Sequence, residues 1–548
     1  MPANAQEDVT VEETEVYSDT LGSSEDEETA FLCRKASRTP VASNPADKLA
    51  TFESLASKRD HEAFFRQCVD VLLKEAVFDG TSRKNKVLEF RQPEQLMREF
   101  DFEVGREGAS HGELLNHLRD VIKFSVKTGH PYFVNQLFSS VDPYGLIGQL
   151  LTDCLNPSAY TYEVAPLIIL MEETVLREMR QIVGWKNGDG DGIFCPGGSI
   201  ANGYAISCAR HYFNPDIKTK GLHGIKRPVL FTSEDAHYSI KKLASFLGLG
   251  TDNVHLVNTD SRGKMDPEHL ETLVKKSIDD GCSPFMVSAT AGTTVIGAFD
   301  PIDKLADICQ KYNMWLHVDA AWGGGALVSH KHRQLLRGIE RADSVTWNPH
   351  KLLTAPQQCS TFLLRHENLL SEAHSANAAY LFQKDKFYDT KFDTGDKHIQ
   401  CGRRADVLKF WFMWKAKGTD GFENHIDKTF SNAEFFLNTI RNRPGFELVI
   451  PEPECTNICF WYLPESLRTD SQEELRRKIR DDEEFRLKLH AVAPKIKERM
   501  MKEGTMMVTY QTHKSKPNFF RIVFQNSGLD KNDMLHLVQE FERLGHDL

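Results

Sequence analysis

Ser344-Val-Thr-Trp-Asn-Pro-His-Lys351 is the stretch from which the rest of the chain is interpreted. Its first four residues favour a β-strand, and Pro349 biases Asn348 away from helical backbone angles, so the chain is expected to leave the strand sharply. Lys351 is thereby placed at a strand end, where loss of water would make its amine a nucleophile. Taken alone, the same lysine also fits an exposed loop, so its role depends on other parts of the chain.

Strand-like runs alternate with helical patterns through the middle of the chain. A spacing of about 25–30 residues between such runs is typical of βαβ units. We therefore predict an α/β fold with a mostly parallel central sheet, in which ligands bind outside the carboxyl ends of the strands. The predicted strands are Pro228–Thr232, Val254–Asn258, Phe285–Ala289 and Met314–Val318, and the predicted helices include Pro267–Ser277 and Pro301–Tyr312.

Composition changes along the chain predict four parts. The first 30 residues contain ten acids and no Lys or Arg, a composition that cannot bury enough apolar surface to fold. Helical spacing follows, and after about residue 400 short strands mix with long helices. The predicted parts are a disordered acidic tail (1–45), an N-terminal helical segment (46–125, with helices at 60–78 and 112–127), a large cofactor-binding domain (126–400) and a small α+β domain (401–548).

The small C-terminal domain is predicted from apolar periodicity alone. Its expected helices are Phe422–Asn442, Arg486–Lys502 and Asp530–Leu544. Its expected strands are Glu447–Ile450, Asn457–Tyr462, Thr505–Tyr510 and Phe519–Phe524.

Charge and hydropathy exclude several classes of protein. The formal net charge is -11, but removing the ten acids of the first 30 residues from the total of 78 leaves 68 acids against 67 bases. A near-neutral body does not favour a nucleic-acid partner. No apolar run approaches the roughly 18 residues of a membrane span, and the acidic start does not match a secretory signal, so we expect a cytoplasmic protein. The eleven scattered cysteines, without a CxxC pair, are expected to be reduced.

A glycine turn precedes a predicted helix at Cys195-Pro-Gly-Gly-Ser-Ile-Ala-Asn202. Gly198 allows close approach of a ligand to the backbone, and Ser199 with the neighbouring N–H groups can hold a phosphate. A glycine turn before a helix is also common without any ligand. Neither GxGxxG nor GxxxxGK[ST] is present, so a dinucleotide or P-loop site lacks its residues.

Three further strand ends carry polar side chains. Asp319, in His317-Val-Asp-Ala-Ala321, suits a protonated ring nitrogen, because a buried carboxylate needs a partner. Ala321 is small enough for a flat ring to lie against the backbone, and His237, after another strand, can stack on the other face of the ring. A strand-end histidine also fits a purely structural role. Thr293 lies in Thr290-Ala-Gly-Thr-Thr294, a run of hydroxyl groups at a third strand end.

These groups in this order indicate pyridoxal 5'-phosphate, with Lys351 for the imine, Asp319 for the ring nitrogen and a phosphate-binding turn. No metal site is expected. The sequence Asn187-Gly-Asp-Gly-Asp-Gly192 resembles half of a calcium loop but lacks its final glutamate, and His330-Lys-His332 has no further ligand nearby.

At this point the residues resemble the group II pyridoxal-phosphate amino-acid decarboxylases of fold type I, from about residue 60 to the C-terminus. Further landmarks carry the resemblance: Phe133-Val-Asn-Gln136-Leu, Tyr380 to Asp389, Asp393-Thr-Gly-Asp-Lys and Asn518-Phe-Phe-Arg521. The resemblance implies that Lys351 forms the Schiff base, Asp319 holds the pyridinium nitrogen and His237 stacks on the ring. It also implies that Gly198, Ser199 and Asn348 bind phosphate, with Thr293, Ala321 and His350 as further cofactor contacts.

The resemblance implies decarboxylation by way of a quinonoid intermediate. Tyr388, on a loop that closes over the site, looks like the acid that returns a proton to the product. Arg521 looks like the group that grips a substrate carboxylate, with Gln136 nearby. The family is dimeric with the site at the subunit interface, so a homodimer is expected.

Two side chains decide the predicted substrate. Phe138 replaces a small serine of glutamate decarboxylases, which disfavours glutamate, and Gln357 resembles a feature of the insect-type aspartate 1-decarboxylases. We therefore predict conversion of L-aspartate to β-alanine and carbon dioxide. The alternatives are cysteine sulfinate decarboxylation, which forms hypotaurine, then glutamate decarboxylation, and finally a catalytically inactive regulatory homologue.

Overall fold

A mostly parallel sheet is the framework on which the predicted site residues are placed. A computed structural model describes residues 55–548, with side chains described from residue 58 onward. The predicted acidic tail, residues 1–45, lies outside the described residues. The chain divides into residues 1–65 and residues 66–548, and both sheets belong to the second unit.

The large sheet has seven strands in the order β1-β7-β6-β5-β4-β2-β3. Strands β2 to β6 are parallel to their neighbours, whereas β7 runs antiparallel to both β6 and β1. The carboxyl ends of β2, β4, β5 and β6 therefore meet at one edge of the sheet. The strands are β1 (Asp191–Cys195), β2 (Pro228–Ser233), β3 (Val254–Val257), β4 (Ser283–Thr290), β5 (Trp315–Ala320), β6 (Ser344–Trp347) and β7 (Ser360–Leu364).

Burial on both faces explains why these strands are short and continuously apolar. Every residue of β2, β5 and β6 is buried. Strands covered by helices on both faces do not alternate between apolar and polar residues. The predicted α/β fold with a mostly parallel sheet is confirmed, and the four predicted strands match β2 to β5 within two residues at each end.

The helices begin and end where the local sequence favours it. Asp266 caps the helix that follows it by accepting hydrogen bonds from the N–H groups of Glu268 and His269, and Pro267 occupies the first turn. Asn313 ends the next helix in a left-handed conformation, with φ of 51°. The helices are α1 (Leu55–Val71), α2 (Pro93–Glu99), α3 (His111–Phe124), α4 (Pro143–Leu155), α5 (Pro166–Val183), α6 (Gly198–Phe213), α7 (Ile217–Lys220), α8 (Ser239–Phe246), α9 (Pro267–Asp279), α10 (Ile302–Tyr312), α11 (Leu369–His374), α12 (Val407–Ile440), α13 (Gln472–Asp481), α14 (Glu483–Glu503) and α15 (Lys531–Gly545).

A second, antiparallel sheet of four strands lies in the C-terminal part of the chain. Its order is β10-β11-β9-β8, and its helices α14 and α15 share a separate hydrophobic core with it. The strands are β8 (Phe446–Leu448), β9 (Asn457–Tyr462), β10 (Thr509–His513) and β11 (Lys516–Val523).

Two predicted helices and one predicted strand differ in extent from the structure, and helix α13 was not predicted. Strand β10 begins at Thr509, four residues after the predicted Thr505. The helix predicted from Asp60 continues from α1 into a π-helical turn, Leu72–Phe78. Helix α12 begins 15 residues before the predicted Phe422 and is interrupted at Gly418, whose φ is 66°. Helix α13 was not predicted, because it is short and highly charged, and its apolar face consists of Leu475 and Ile479 alone. The predicted domain boundaries at residues 126 and 401 stay predictions.

None of the helices in residues 55–548 has the length and apolar character that a membrane crossing demands.

Candidate active site

A cavity of about 200 Å³ lies at the carboxyl edge of the large sheet. The elements around it are the ends of β2, β4, β5 and β6 and the start of α6. Eight of the predicted cofactor residues line it: Gly198, Ser199, His237, Asp319, Ala321, Asn348, His350 and Lys351. Six residues without a predicted role line it as well: Asn202, Tyr238, Thr290, Gly292, Thr294 and Trp322.

Lys351 lies one turn beyond β6, as the Asn-Pro-His sequence predicts. Its backbone N–H donates to the carbonyl of Asn348 at 3.0 Å, which closes the turn. Burial lowers the pKa of Lys351, the nearby Asp319 carboxylate opposes this shift, and Arg521 adds to it. A lowered pKa means that more of the amine is unprotonated near neutral pH. The side chain is therefore prepared to attack a carbonyl carbon.

Asp319 is the buried carboxylate at the end of β5. Its Oδ2 accepts a hydrogen bond from Asn202 Nδ2 at 2.8 Å, and its Oδ1 accepts one from the backbone N–H of Ala321 at 3.1 Å. Strand register places it between Thr290 of β4 and Thr346 of β6. A carboxylate that is 95% buried, and whose bonds come from neutral donors, favours a cationic partner in the cavity. A protonated ring nitrogen satisfies that requirement.

The start of α6 is where the sequence predicts an anion site. Gly197 precedes the helix with φ of 98°, and a Cβ on Gly198 would lie 2.7 Å from the side-chain amide of Asn348. A glycine is therefore required here, because any other side chain would displace that amide. The buried Oδ1 of Asn348 has no protein partner. The N–H groups of Ile200 and Ala201 bond to Gly197. The N–H groups of Gly198 and Ser199, together with the NH₂ group of Asn348, are therefore the donors that would suit a phosphate group.

His237 follows β2 and lies in the same cavity. Its Nδ1 contacts Ser239 Oγ at 2.8 Å and the Ser239 backbone N–H at 3.3 Å. Burial lowers its pKa, although Asp319 opposes the shift. A neutral imidazole at this position can lie flat against a heteroaromatic ring.

Arg521, in β11, is a buried guanidinium that uses only backbone carbonyls. It donates from Nη1 to Thr294 at 2.7 Å and from Nη2 to Asn135 at 3.0 Å, and its Nε has no partner. Within residues 55–548, no carboxylate forms an ion pair with it. A buried cation without a counter-ion is costly, so an anionic ligand would be strongly stabilised beside it. Arg521 does not line the cavity itself.

The structure does not bring all the predicted residues together. Thr293 is buried, and its Oγ1 accepts a hydrogen bond from Ala298 N at 3.0 Å, so it stabilises the turn after β4, while Thr290 and Thr294 line the cavity. Gln136 and Gln357 are exposed. Phe138 packs towards Phe133, with ring centroids 6.3 Å apart.

Tyr388 also lies outside the cavity in this structure. Its hydroxyl donates to the carboxylate of Asp393 at 3.0 Å, and its ring lies 5.1 Å from that of Tyr162. Asp393 also forms an ion pair with Lys386 at 2.8 Å. The loop tyrosine is thus held by its own segment, and its role as a proton donor stays a prediction.

Asn202 is the most informative residue that the sequence analysis missed. It contacts Asp319 directly and ends the same glycine-turn motif, one helical turn after Gly198. Positions four residues apart share a helix face. The signal was therefore present in the spacing of Gly198 and Asn202.

Residues 93–463 match the family described as "Pyridoxal-dependent decarboxylase conserved domain". The chain belongs to the pyridoxal-dependent decarboxylases. Human cysteine sulfinic acid decarboxylase is 52% identical over 89% of this chain and 97% of its own length. An acidic amino acid decarboxylase of Bos taurus is 51% identical over 89% of this chain and 91% of its own length. A crystal structure of mouse CSAD aligns with a TM-score of 0.85 and 50% identity, and covers 89% of this chain and 99% of that one.

The family, the fold type I architecture and the cofactor are thereby confirmed. Pyridoxal phosphate fits the residues present, because the cavity offers an unpaired amine, a buried carboxylate and an anion site around one small volume. Lys351 would hold its aldehyde carbon, Asp319 its ring nitrogen, and Gly198, Ser199 and Asn348 its phosphate.

The predicted specificity for aspartate is wrong. The decarboxylase is about 50% identical to cysteine sulfinic acid decarboxylases of three mammals along nearly their whole length. The prediction depended on Gln357 and Phe138 as pocket residues. Gln357 is exposed and neither side chain lines the cavity of this chain, so their contact with a substrate stays a prediction.

Proposed function

We propose that this decarboxylase removes the α-carboxyl group of cysteine sulfinate, forming hypotaurine and carbon dioxide. The observation that carries the proposal is the 52% identity with human cysteine sulfinic acid decarboxylase over 97% of that protein. Cysteine sulfinate was the alternative predicted from the sequence. The likeness to a decarboxylase of acidic amino acids supports the same class of substrate.

Arg521 supports an acidic substrate on physical grounds. Its Nε lacks a partner, and its two other contacts are uncharged carbonyls. A substrate anion placed there would form a charge-assisted hydrogen bond, worth about 1.5–3 kcal/mol. An uncharged side chain in the same place would leave the guanidinium buried and unpaired.

The catalytic roles follow from the surroundings of each side chain. Lys351, with its lowered pKa, takes up the cofactor and later moves a proton at its Nζ. Bound pyridoxal phosphate supplies an electron sink for the pair released when carbon dioxide leaves. Asp319 stabilises positive charge at the ring nitrogen, and His237 restricts movement of the ring. Tyr388 would return a proton to the reacting carbon after its hydroxyl leaves Asp393, which requires the loop to move.

A homodimer is part of the proposal. Helices α4 and α5, which follow one another along the chain, each expose large apolar side chains at helical spacing, which is costly for an isolated chain. These are Tyr144, Ile147, Leu150, Leu155, Leu167 and Leu170. A second copy covering this face would bury them. The cytoplasmic location also stays a prediction.

The test is a comparison of kcat/KM for cysteine sulfinate, aspartate and glutamate with enzyme saturated in pyridoxal phosphate. We expect cysteine sulfinate to give the highest value, with hypotaurine as product. Arg521→Lys keeps the charge but loses the fork of donors, so KM for all three acids should rise at least about 10-fold. Higher kcat/KM for glutamate or aspartate would refute the proposed substrate, while an inactive protein that binds the cofactor would favour the regulatory homologue.

A further inference from the structure

A continuous chain of buried hydrogen bonds leads from Trp315 to the cavity. Trp315 Nε1 contacts Ser344 Oγ at 2.9 Å, and Ser344 Oγ contacts His317 Nδ1 at 2.9 Å. His317 Nε2 contacts Asn202 Oδ1 at 3.1 Å, and Asn202 Nδ2 contacts Asp319 Oδ2 at 2.8 Å. All five side chains are at least 95% buried, so water does not compete for these bonds.

The carboxylate at the end fixes the direction of the protons in this chain. Asp319 Oδ2 can only accept, so Asn202 presents its NH₂ group to it and its Oδ1 to His317 Nε2. An amide oxygen can only accept, so the proton of the neutral His317 ring lies on Nε2. His317 Nδ1 then accepts the hydroxyl proton of Ser344, whose oxygen accepts from Trp315 Nε1–H. Burial lowers the pKa of His317 to about 4, which keeps the ring neutral as the chain requires.

The orientation of the Asn202 amide is fixed by the Asp319 carboxylate and is compatible with a second donor. Thr346 Oγ1 donates to Asn202 Oδ1 at 2.8 Å, so this oxygen accepts from Thr346 and His317 together. Rotation of the amide would place its oxygen against the Asp319 carboxylate, where neither atom has a proton to donate. The NH₂ group consequently faces the carboxylate, and its two protons go to Asp319 Oδ2 and to Ser239 Oγ at 2.9 Å.

The branch through Ser239 determines where His237 carries its proton. Ser239 Oγ accepts from Asn202, so its own hydroxyl proton is available for His237 Nδ1 at 2.8 Å. The backbone N–H of Ser239 points at the same ring atom at 3.3 Å. His237 Nδ1 is therefore an acceptor, and the proton of the neutral ring lies on Nε2.

We propose that Asn202 is a positioning residue that sets both faces of the cofactor site at once. One NH₂ proton holds the Asp319 carboxylate in place for the ring nitrogen, and the other fixes His237 as its Nε2–H tautomer through Ser239. The chain from Trp315 holds the amide in the only orientation that serves both. The inference rests on the proposed role of Asp319 beneath the cofactor ring, and it does not depend on which acid is decarboxylated.

The test measures cofactor binding in Asn202→Ala and Ser239→Ala, and uses the intact chain. Asn202→Ala removes a charge-assisted hydrogen bond to Asp319, so the Kd for pyridoxal phosphate should rise about 10- to 100-fold. The visible absorption maximum of the bound cofactor should shift as well. Ser239→Ala leaves that bond in place, so its Kd should stay within about 3-fold while kcat falls about 10-fold or more.

Asn432→Ala is the matched control, since Asn432 is a buried asparagine that donates to Leu529 O at 3.3 Å, outside this chain. It should keep the wild-type Kd and absorption spectrum.

If Asn202→Ala is not obtained as folded protein, Ser344→Ala tests the same chain, because it frees His317 to change tautomer, and its Kd should rise about 3- to 10-fold. A wild-type Kd and spectrum in folded Asn202→Ala, or in Ser344→Ala, would overturn the proposal. Wild-type kcat in Ser239→Ala would overturn the part that concerns His237. Cofactor binding is measured without substrate, so these outcomes are independent of the substrate proposal.

Discussion

At the scale of single residues, the site is built from groups whose charge is unusual for their surroundings. Asp319 and Arg521 are buried and Lys351 is half-buried, all without ordinary ion-pair partners, and each carries a proposed role with the cofactor or substrate. Perturbed groups of this kind concentrate at functional sites, because function needs charge where stability does not favour it. Two single-residue changes test the surroundings of individual groups: one concerns the predicted anion site, and the other a lysine with a lowered pKa.

Gly198→Ala tests the anion site. The new Cβ would lie 2.7 Å from the Asn348 amide and displace it, so the Kd for pyridoxal phosphate should rise about 10-fold or more, equivalent to at least about 1.4 kcal/mol. Gly402→Ala is the control, because no atom lies within 4 Å of a Cβ built there. Equilibrium dialysis measures both values. An unchanged Kd in Gly198→Ala would show that the start of α6 does not hold the phosphate.

Lys497→Met tests a half-buried lysine that is outside the cavity. Lys497 donates to Asn135 Oδ1 at 2.9 Å, and burial lowers its pKa to about 7. The unfolded chain, with a lysine pKa near 10.4, binds more protons than the folded chain between about pH 7 and pH 10, so stability should rise with pH in that window. Lys497→Met removes this dependence and should stabilise the protein by about 1–3 kcal/mol at pH 7, and by less at pH 10.

Lys495→Met, on the same helix, is the control for that change. Lys495 pairs with Glu498 at the surface, so its loss should change stability by no more than about 0.5 kcal/mol at either pH. Urea unfolding at pH 7 and pH 10 gives the change in the free energy of unfolding for each of the two variants at each pH. Equal effects of Lys497→Met at the two pH values would show that Lys497 does not titrate in this range.

At the scale of elements, one buried ion pair connects parts of the chain that are distant in sequence. Arg403 Nη1 contacts both carboxylate oxygens of Glu172, at 2.7 and 2.6 Å, and Glu172 also accepts the N–H of Phe194 in β1 at 3.3 Å. The pair thus joins α5, an edge strand and the segment before α12. Because both side chains are more than 90% buried, loss of either partner leaves an uncompensated charge.

Arg403→Met should therefore destabilise the protein by about 3–5 kcal/mol. Arg404→Ala is the neighbouring control, because Arg404 and Asp153 are both half-exposed and such pairs contribute only about 0–1 kcal/mol. Thermal unfolding of the cofactor-bound protein compares the two variants. A small effect of Arg403→Met, no larger than that of Arg404→Ala, would show that Glu172 finds another partner or is protonated.

The sequence predicted an element well where one local cause determines it, such as a continuous apolar run for a buried strand or a proline for a turn. Strand β9 and the core of the parallel sheet were predicted from continuous apolar runs, and Lys351 from the proline turn after β6. Helix α13 was missed because two apolar residues, Leu475 and Ile479, are too few to stand out in a short and highly charged segment. The pairing of Arg403 with Glu172 and the orientation of the Asn202 amide depend on contacts between distant segments, which no local pattern contains.

The same limit applies to the predicted site residues. The residues that end parallel strands were assigned correctly to the cavity, because the topology brings strand ends together. Gln357 and Phe138 were taken as pocket residues from resemblance alone, and the structure places both outside the cavity lining. Substrate preference, which rests on such side chains, was consequently the least predictable property.

At the scale of the whole molecule, the apolar face of α4 and α5 predicts a dimer. Light scattering should give a mass near twice the 62.3 kDa of one chain. Ile147 and Leu167 are 55% and 64% exposed. Replacing both by aspartate places two charges where apolar side chains would be buried in the dimer, so the double variant should shift towards the monomer. Val104→Asp, at an isolated residue 98% exposed, should leave the mass unchanged. A wild-type protein that stays monomeric would contradict the prediction.

The claim on which the account depends most is that Lys351 forms the covalent link to the cofactor. Reduction of the pyridoxal-phosphate-bound protein with borohydride, followed by peptide mass spectrometry, tests it directly. We predict one modified peptide, which carries the cofactor on Lys351, and no such peptide from Lys351→Ala. Modification of a different lysine, or an equal yield of modified peptide from Lys351→Ala, would contradict the account.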